Sequence, residues 1–460
     1  MKLLDGCWVG HVLPDRIHLI GVGGAGMSAL AILLSRHHQV SGSDPSIAPA
    51  LQHQLNRMGV QVWLQHDPEH LSGAELVILS SAIPEDNVEL QAALTLQIPL
   101  RHRVDVLVEL SQGMRLLAVA GTHGKGTTTG LLGHIFRQTD QDPSLFNGAE
   151  LVQYDQRAWW GQGRYFIAEM DESDGSFLKW TPALALITNI DADHLNFWGD
   201  MNGLLQGFNL FAARVEEGLV IHDSVLPNLK NQSKPLIPYG RSPECLFRLL
   251  HTEFTGAGTA IRVATPDGMR EFTIPLLGEH NAQNVIGALA LATLEGLSLD
   301  AVIEAATTYR GIRRRLERKG EARGVLVFDD HADHPTEIAR TLGALQSLGR
   351  PIFCVLQPHR YSRVQAVLRQ YAAALDLANT IVLLPIFSAG EPKPPDWKED
   401  IVHQVVHELY PQRAVHFSTR AELPTLLQNR LRKGDLLLFL GPGDISEIAE
   451  QAWQHLSSGI

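Results

Sequence analysis

A chain of 460 residues is far longer than one hydrophobic core usually supports, and at roughly 150 residues per domain it is expected to hold about three. Hydrophobic residues at 45% and charged residues at 19% exclude a disordered chain, and no apolar run approaches the roughly 18 residues of a membrane helix. A formal net charge of -12 offers no broad basic surface, which argues against nucleic acid or an acidic membrane as partner.

The start, Met1-Lys2-Leu3-Leu4-Asp5-Gly6-Cys7, lacks the apolar core of a secretory signal, so a cytoplasmic protein without membrane insertion is expected. Cys7, Cys245 and Cys354 are odd in number and far apart, which points to buried free thiols rather than a disulfide framework or a Cys-based zinc site. Short Val/Ile/Leu-rich runs followed by helix-like stretches recur, the pattern of parallel sheets covered by helices. The strand Arg16 to Ile20 runs into Gly21-Val22-Gly23-Gly24-Ala25-Gly26 and the helix-like Met27 to Ala31. This G-x-G-x-x-G turn lets a pyrophosphate approach backbone N–H groups, and Asp44, ending the second strand, is placed to meet a ribose hydroxyl. NAD, another nucleotide diphosphate and an unliganded tight turn all fit this pattern.

After Leu76–Leu79, a strand-free run around Arg101 to Met114 marks a boundary near residue 110. The strand Leu116–Ala120 enters Gly121-Thr122-His123-Gly124-Lys125-Gly126-Thr127-Thr128-Thr129 and then a helix-like segment. A glycine-rich loop with a Lys for the outer phosphates and a Thr hydroxyl for Mg2+ is what ATP binding requires. The spacing departs from G-x-x-x-x-G-K-[ST], since Val119 holds the first glycine position and Gly126 follows the lysine. The strand Tyr165–Ala168 ends in Glu169-Met170-Asp171-Glu172-Ser173-Asp174, so Glu169 is the expected carboxylate ligand to Mg2+. Leu184–Ile187 leads to Thr188-Asn189-Ile190-Asp191-Ala192-Asp193-His194 at the same edge, and beside a phosphate loop His194 reads as part of the site.

The basic cluster Arg310-Gly311-Ile312-Arg313-Arg314-Arg315 sets a second boundary near 314. Strands then follow at Val325–Phe328, Ile352–Leu356, Ile381–Leu384 and Leu436–Leu440, with a loop at Pro392, Pro394 and Pro395. The expected architecture is α/β in three domains: 1–109 Rossmann-like, 110–313 of the P-loop ATPase type, and 314–460 Rossmann-like again.

Together with Gly278-Glu279-His280-Asn281-Ala282-Gln283-Asn284 and Gln357-Pro358-His359-Arg360-Tyr361-Ser362-Arg363, these motifs resemble the Mur ligase family over essentially the whole chain. The likeness is greatest to the branch that adds the first amino acid, L-alanine, to UDP-N-acetylmuramate. The resemblance implies that the first domain holds the UDP portion, through Gly23, Gly24, Ala25, Gly26 and Asp44. It implies ATP on Gly121, Thr122, His123, Gly124, Lys125, Gly126, Thr127 and Thr128, with Asn281 and Asn284 lining the nucleotide. Thr127, Glu169 and His194 would serve Mg2+, and Arg315 and Asp330 would close the site from the third domain. Arg360 and Arg363 would grip the amino-acid carboxylate, a task suited to the planar guanidinium fork. The implied chemistry is phosphoryl transfer from ATP to the sugar-nucleotide carboxylate, then attack of the amine on the acyl phosphate, with catalysis by positioning and charge neutralisation.

Three residues depart from that family's pattern. Gly126 replaces a Thr, which leaves Thr127 or Thr128 to supply the hydroxyl, while His331 and Asp333 stand where Tyr and His are expected. An Asp at 333 would repel a carboxylate and favour an ammonium, implying altered amino-acid selectivity or reduced affinity for L-alanine. Rival readings are a recycling ligase that attaches a tripeptide to the same sugar nucleotide, favoured by Arg313-Arg314-Arg315-Leu316-Glu317, and a nonenzymatic nucleotide-binding paralogue. A nicotinamide-dependent dehydrogenase would leave the second glycine loop unexplained.

Overall fold

The computed structural model of the chain describes residues 13–229, 233–255 and 258–458, so Cys7 and the first residues lie outside it. The expected α/β architecture is present as three domains, each built on its own sheet. By contact the described residues fall into two compact units: those up to Leu250 with Val263–Arg270 and Gln283–Tyr309, and those of His251–Arg262 with Glu271–Ala282 and from Arg310 onward.

The first sheet contains β1 (Arg16–Ile20), β2 (Gln39–Ser43), β3 (Gln61–Trp63), β4 (Leu76–Leu79) and β5 (Leu100–His102), in the order β3-β2-β1-β4-β5. All its pairings are parallel. Order reverses between β1 and β4, which opens a crevice at the carboxyl end of β1, where ligands of such sheets bind. Strand β5 corrects the expectation that Arg101 and His102 lie in a strand-free run. With three residues and one buried side chain it carries no apolar run to read.

The second sheet has ten strands: β6 (Arg115–Ala120), β7 (Ser144–Leu151), β8 (Gln156–Trp159), β9 (Tyr165–Glu169), β10 (Leu184–Ile187), β11 (Gly218–His222), β12 (Leu236–Gly240), β13 (Phe247–Thr255), β14 (Gly258–Thr265) and β15 (Gly268–Ile274). Their order is β15-β14-β13-β12-β11-β10-β6-β9-β7-β8. Strand β6 sits between β10 and β9, pairing Ala120 with Ile187 and Val119 with Glu169. Phosphate loop, Glu169 and the Thr188 segment therefore all emerge at one sheet edge. These strands are buried along nearly their whole length, which is why they read as unbroken apolar runs.

The third sheet comprises β16 (Glu317–Ala322), β17 (Val325–Asp330), β18 (Ile352–Leu356), β19 (Thr380–Leu383), β20 (Ala414–Phe417) and β21 (Leu436–Leu440), ordered β16-β17-β21-β18-β19-β20. Alternate residues feed two separate cores: Phe328, Cys354 and Leu438 on one face, Val327, Val355 and Phe439 on the other. Cys245 and Cys354 are buried free thiols, as expected. Among the described residues no helix is long and apolar enough to cross a membrane.

Candidate active site

The first glycine turn follows β1 into the helix Ala25–Leu34, capped by the extended Gly24. Asp44 lies against it: the Gly23 N–H donates to Asp44 Oδ2 at 3.0 Å, and the N–H and hydroxyl of Ser46 donate to Oδ1 at 2.8 and 2.9 Å. Beneath the turn, the Ser43 carbonyl accepts the N–H groups of Gly21 and Val22 at 2.8 and 3.2 Å. The Ser43 hydroxyl donates to Glu89, a fully buried carboxylate that also meets His66 Nδ1 at 3.1 Å and His70 Nδ1 at 2.9 Å. His18 Nε2 stands 3.5 Å away. Burial opposes the charge on Glu89, yet His18, Ser43 and His70 outweigh it and hold the carboxyl at about 2. The sequence does not announce these partners of Glu89, because they come from three separate segments.

Gly26 has a different neighbour. A Cβ there would fall 1.9 Å from Arg103 Nη1, whose guanidinium crosses the turn to donate from Nη2 to Asp171 Oδ2 at 2.6 Å. Burial of Asp171 is offset by Arg103 and by Ser173, which bring its carboxyl down to about 2.

The second loop leads from β6 into the helix Lys125–Gln138. Gly121, at φ +130, would place a Cβ 2.2 Å from Thr188 Oγ1, and Gly124, at φ +82, would place one 2.7 Å from Asn284 Oδ1. Only glycine satisfies both the backbone angle and the approach at these positions. The loop is stitched to the tip of β10: Thr188 Oγ1 and Asn189 Nδ2 donate to the His123 carbonyl at 2.6 and 2.9 Å. In return the His123 N–H donates to Asn189 Oδ1 at 2.9 Å. Lys125 Nζ turns back into this frame, donating to Gly121 O at 2.6 Å and to Glu172 Oε1 and Oε2 at 2.9 and 2.7 Å. Burial raises the Glu172 carboxyl while Lys125 pulls it back. The sequence marks Glu172 only as one member of an acidic run, and nothing in such a run says which carboxylate turns inward.

Thr127 keeps a small exposed area, whereas Thr128 is fully buried with no partner for its hydroxyl, so Thr127 is the better-placed oxygen. Glu169 accepts the Gly148 N–H at Oε2, at 2.7 Å. His194 precedes the short helix Leu195–Trp198 in a left-handed conformation, partly exposed, with Asp193 3.8 Å away. Among the described residues no three His, Cys, Asp or Glu side chains form a ready metal cage.

In the other unit, Asn281 donates from Nδ2 to Leu277 O at 2.8 Å. Asp330 is buried and accepts the N–H groups of Leu316 at 2.5 Å and Ala332 at 2.8 Å, so it holds the loop that carries Arg315. Arg315 lies 3.6 Å from Glu337. Asp333 is paired within the chain: Arg363 Nη1 is 2.7 Å from Oδ2 and His359 Nδ1 3.3 Å, so its charge is matched. Burial of Asp333 is outweighed by these neighbours, which lower its carboxyl. Arg363 is thereby engaged, while Arg360 is exposed with φ +59. His331 is pushed down to about 3 by burial and by Arg315 and Arg314.

Residues 16–115 match the Mur ligase family catalytic domain, 119–292 the Mur ligase middle domain and 314–443 the Mur ligase glutamate ligase domain. The chain belongs to the Mur ligase family. It is 36% identical over 452 residues to the UDP-N-acetylmuramate–L-alanine ligase of Gloeobacter violaceus, covering 96% of each chain. Identity to the ligase of the same name from Salinispora arenicola is 38% over 457 residues, 96% of this chain and 88% of that one. The crystal structure of UDP-N-acetylmuramate-alanine ligase from Thermotoga maritima superposes with a TM-score of 0.84 at 24% identity, covering 97% and 100%. A murein peptide ligase from Psychrobacter arcticus gives 0.70 at 22%, covering 96% and 99%. Both share the three-domain Mur ligase fold. Within that fold Gly126 lies in the first turn of the helix Lys125–Gln138, and His331 and Asp333 follow β17.

Proposed function

We propose that this Mur ligase uses ATP to join L-alanine, or a related amino acid, to the carboxylate of UDP-N-acetylmuramate, in the cytoplasm, with domain divisions near residues 110 and 314. The observation that carries this is one sheet edge on which the phosphate loop, Lys125 and Glu169 emerge from adjacent strands in register. The identity to ligases of that name adds weight to the choice of substrates.

On this reading the substrate carboxylate oxygen attacks the γ-phosphorus and ADP leaves. The amine then attacks the acyl carbon of the acyl phosphate, inorganic phosphate departs, and the nitrogen loses a proton as the amide forms. Thr127, Glu169 and His194 would hold Mg2+, which when bound would supply neutralising charge on the phosphates. Lys125 and the loop N–H groups fix the phosphates, and Asn284 covers Gly124 on the nucleotide side. Gly23, Gly24, Ala25 and Gly26 with Asp44 hold the UDP portion, as a helix N-terminus suits a pyrophosphate. Asn281 lines the nucleotide, Arg315 and Asp330 serve the site from the third domain, and Arg360 takes the amino-acid carboxylate.

The test is ADP release by purified protein with ATP, Mg2+ and UDP-N-acetylmuramate, against L-alanine, glycine, L-serine, other amino acids and the recycling tripeptide. Release that requires the sugar nucleotide and L-alanine together supports the reading; release with the tripeptide alone, or none with any acceptor, overturns it. Because Asp333 ties up Arg363, Asp333→His should free that guanidinium and shift the relative preference toward L-alanine. An unchanged ranking of amino acids would refute the role given to Asp333.

A further inference from the structure

Lys125 has three N–H donors and a full set of acceptors inside the protein. Two of its contacts, the carbonyls of Gly121 at 2.6 Å and Thr122 at 3.3 Å, belong to the loop itself, which is pinned by Thr188 and Asn189. The other contact is the Glu172 carboxylate, embraced through both oxygens, with side-chain exposures of 13% for Lys125 and 2% for Glu172. Glu172 is held from behind, where Trp198 Nε1 donates to its carbonyl at 3.0 Å and Arg103 anchors the neighbouring Asp171.

We infer that Glu172 is an internal stand-in for phosphate: it engages the same Lys125 ammonium that a polyphosphate would take, and the polyphosphate displaces it on binding. The loop carbonyls stay, because the loop cannot move without breaking its bonds to the tip of β10. The carboxylate yields, because it is the anionic acceptor and an incoming phosphate both competes for the same ammonium and repels it. Glu172 is thus a positioning residue. It keeps Lys125 folded back on the loop carbonyls and sets a threshold that a ligand lacking outer phosphates does not cross.

The inference rests on the proposed ATP site, and nucleotide titration separates the two. Dissociation constants for ATP, ADP and AMP are measured calorimetrically on the full chain with Mg2+ for the wild type and Glu172→Gln, with thermal unfolding as the control for folding. The Gln variant keeps the shape but not the charge, so ATP and ADP should bind about fivefold more tightly while AMP is unchanged. Combined with Lys125→Ala, Glu172→Gln should lose that gain. A merely structural Glu172 would shift all three nucleotides alike, or none. Should Glu172→Gln fail to fold, Glu172→Asp, which draws the carboxylate back by one methylene, carries the same expectation at smaller size. Unchanged or weaker ATP binding in a folded variant overturns the inference alone; a wild type that binds no ATP overturns the nucleotide site with it.

Discussion

The two glycine loops of this Mur ligase begin alike, each a parallel strand turning through glycines into a helix, and each is met by a carboxylate of the chain itself. At the first, Asp44 accepts the N–H of Gly23, an uncharged donor, in a bond that helps shape the turn. At the second, Glu172 holds a cation, Lys125, that a phosphate also wants. Their supports differ as well. The first loop rests on a buried polar cluster, Glu89 with three histidines and Ser43, and the second is laced directly to a neighbouring strand tip. A glycine pattern alone therefore describes the path of the backbone, and the carboxylate opposite it tells what the loop holds back.

The largest break in this comparison should come from Lys125→Ala, which removes the cation that distinguishes the second loop. Turnover should fall by at least roughly 100-fold, and near-normal ADP release would refute the assignment. Asp44→Ala attacks the first loop instead. It should raise the KM for UDP-N-acetylmuramate by about tenfold and leave the KM for ATP alone, so a change in the ATP constant would show that the loops are not separate.

Smaller still is Glu89→Gln, expected to raise the sugar-nucleotide KM about threefold through a loosened Ser43. It also has a pH signature. The Glu89 carboxyl lies at about 2, below the ordinary value of 4.5, so the ionised form stabilises the fold. That contribution is fully present above pH 4.5 and is lost as pH falls toward 2. Acid unfolding followed by circular dichroism should show a shallower loss over this window in Glu89→Gln than in the wild type. Equal slopes would mean that Glu89 is not held ionised by its neighbours.

Most of the fold was legible because its strands announce themselves locally. Leu116–Ala120 and Leu184–Ile187 are covered on both faces and so carry unbroken apolar runs, and Gly121 and Gly124 occupy backbone angles that only glycine tolerates without strain. The edge strand β5 escaped notice because it is short and only partly covered. At the site, the loop residues and Glu169 stood out by their place after strands. Their long-range partners left no such trace: Glu172 is 47 positions from Lys125, and Asp171 is 68 from Arg103. Asp333 was visible as a departure, but its pairing with Arg363 was not, and that pairing changes what the departure means.

Gly26 acquires a wider meaning from the arginine that passes over it. Arg103 acts as a strut from the first sheet's domain to Asp171, the immediate neighbour of Glu172. A side chain at Gly26 would collide with the Arg103 guanidinium and push it from its carboxylate. The damage would then be felt at the other loop, where Glu172 and Lys125 would lose the brace beside them. A lesion in the cradle for one substrate would thus be transmitted mechanically to the grip on the other, along a path of two side chains.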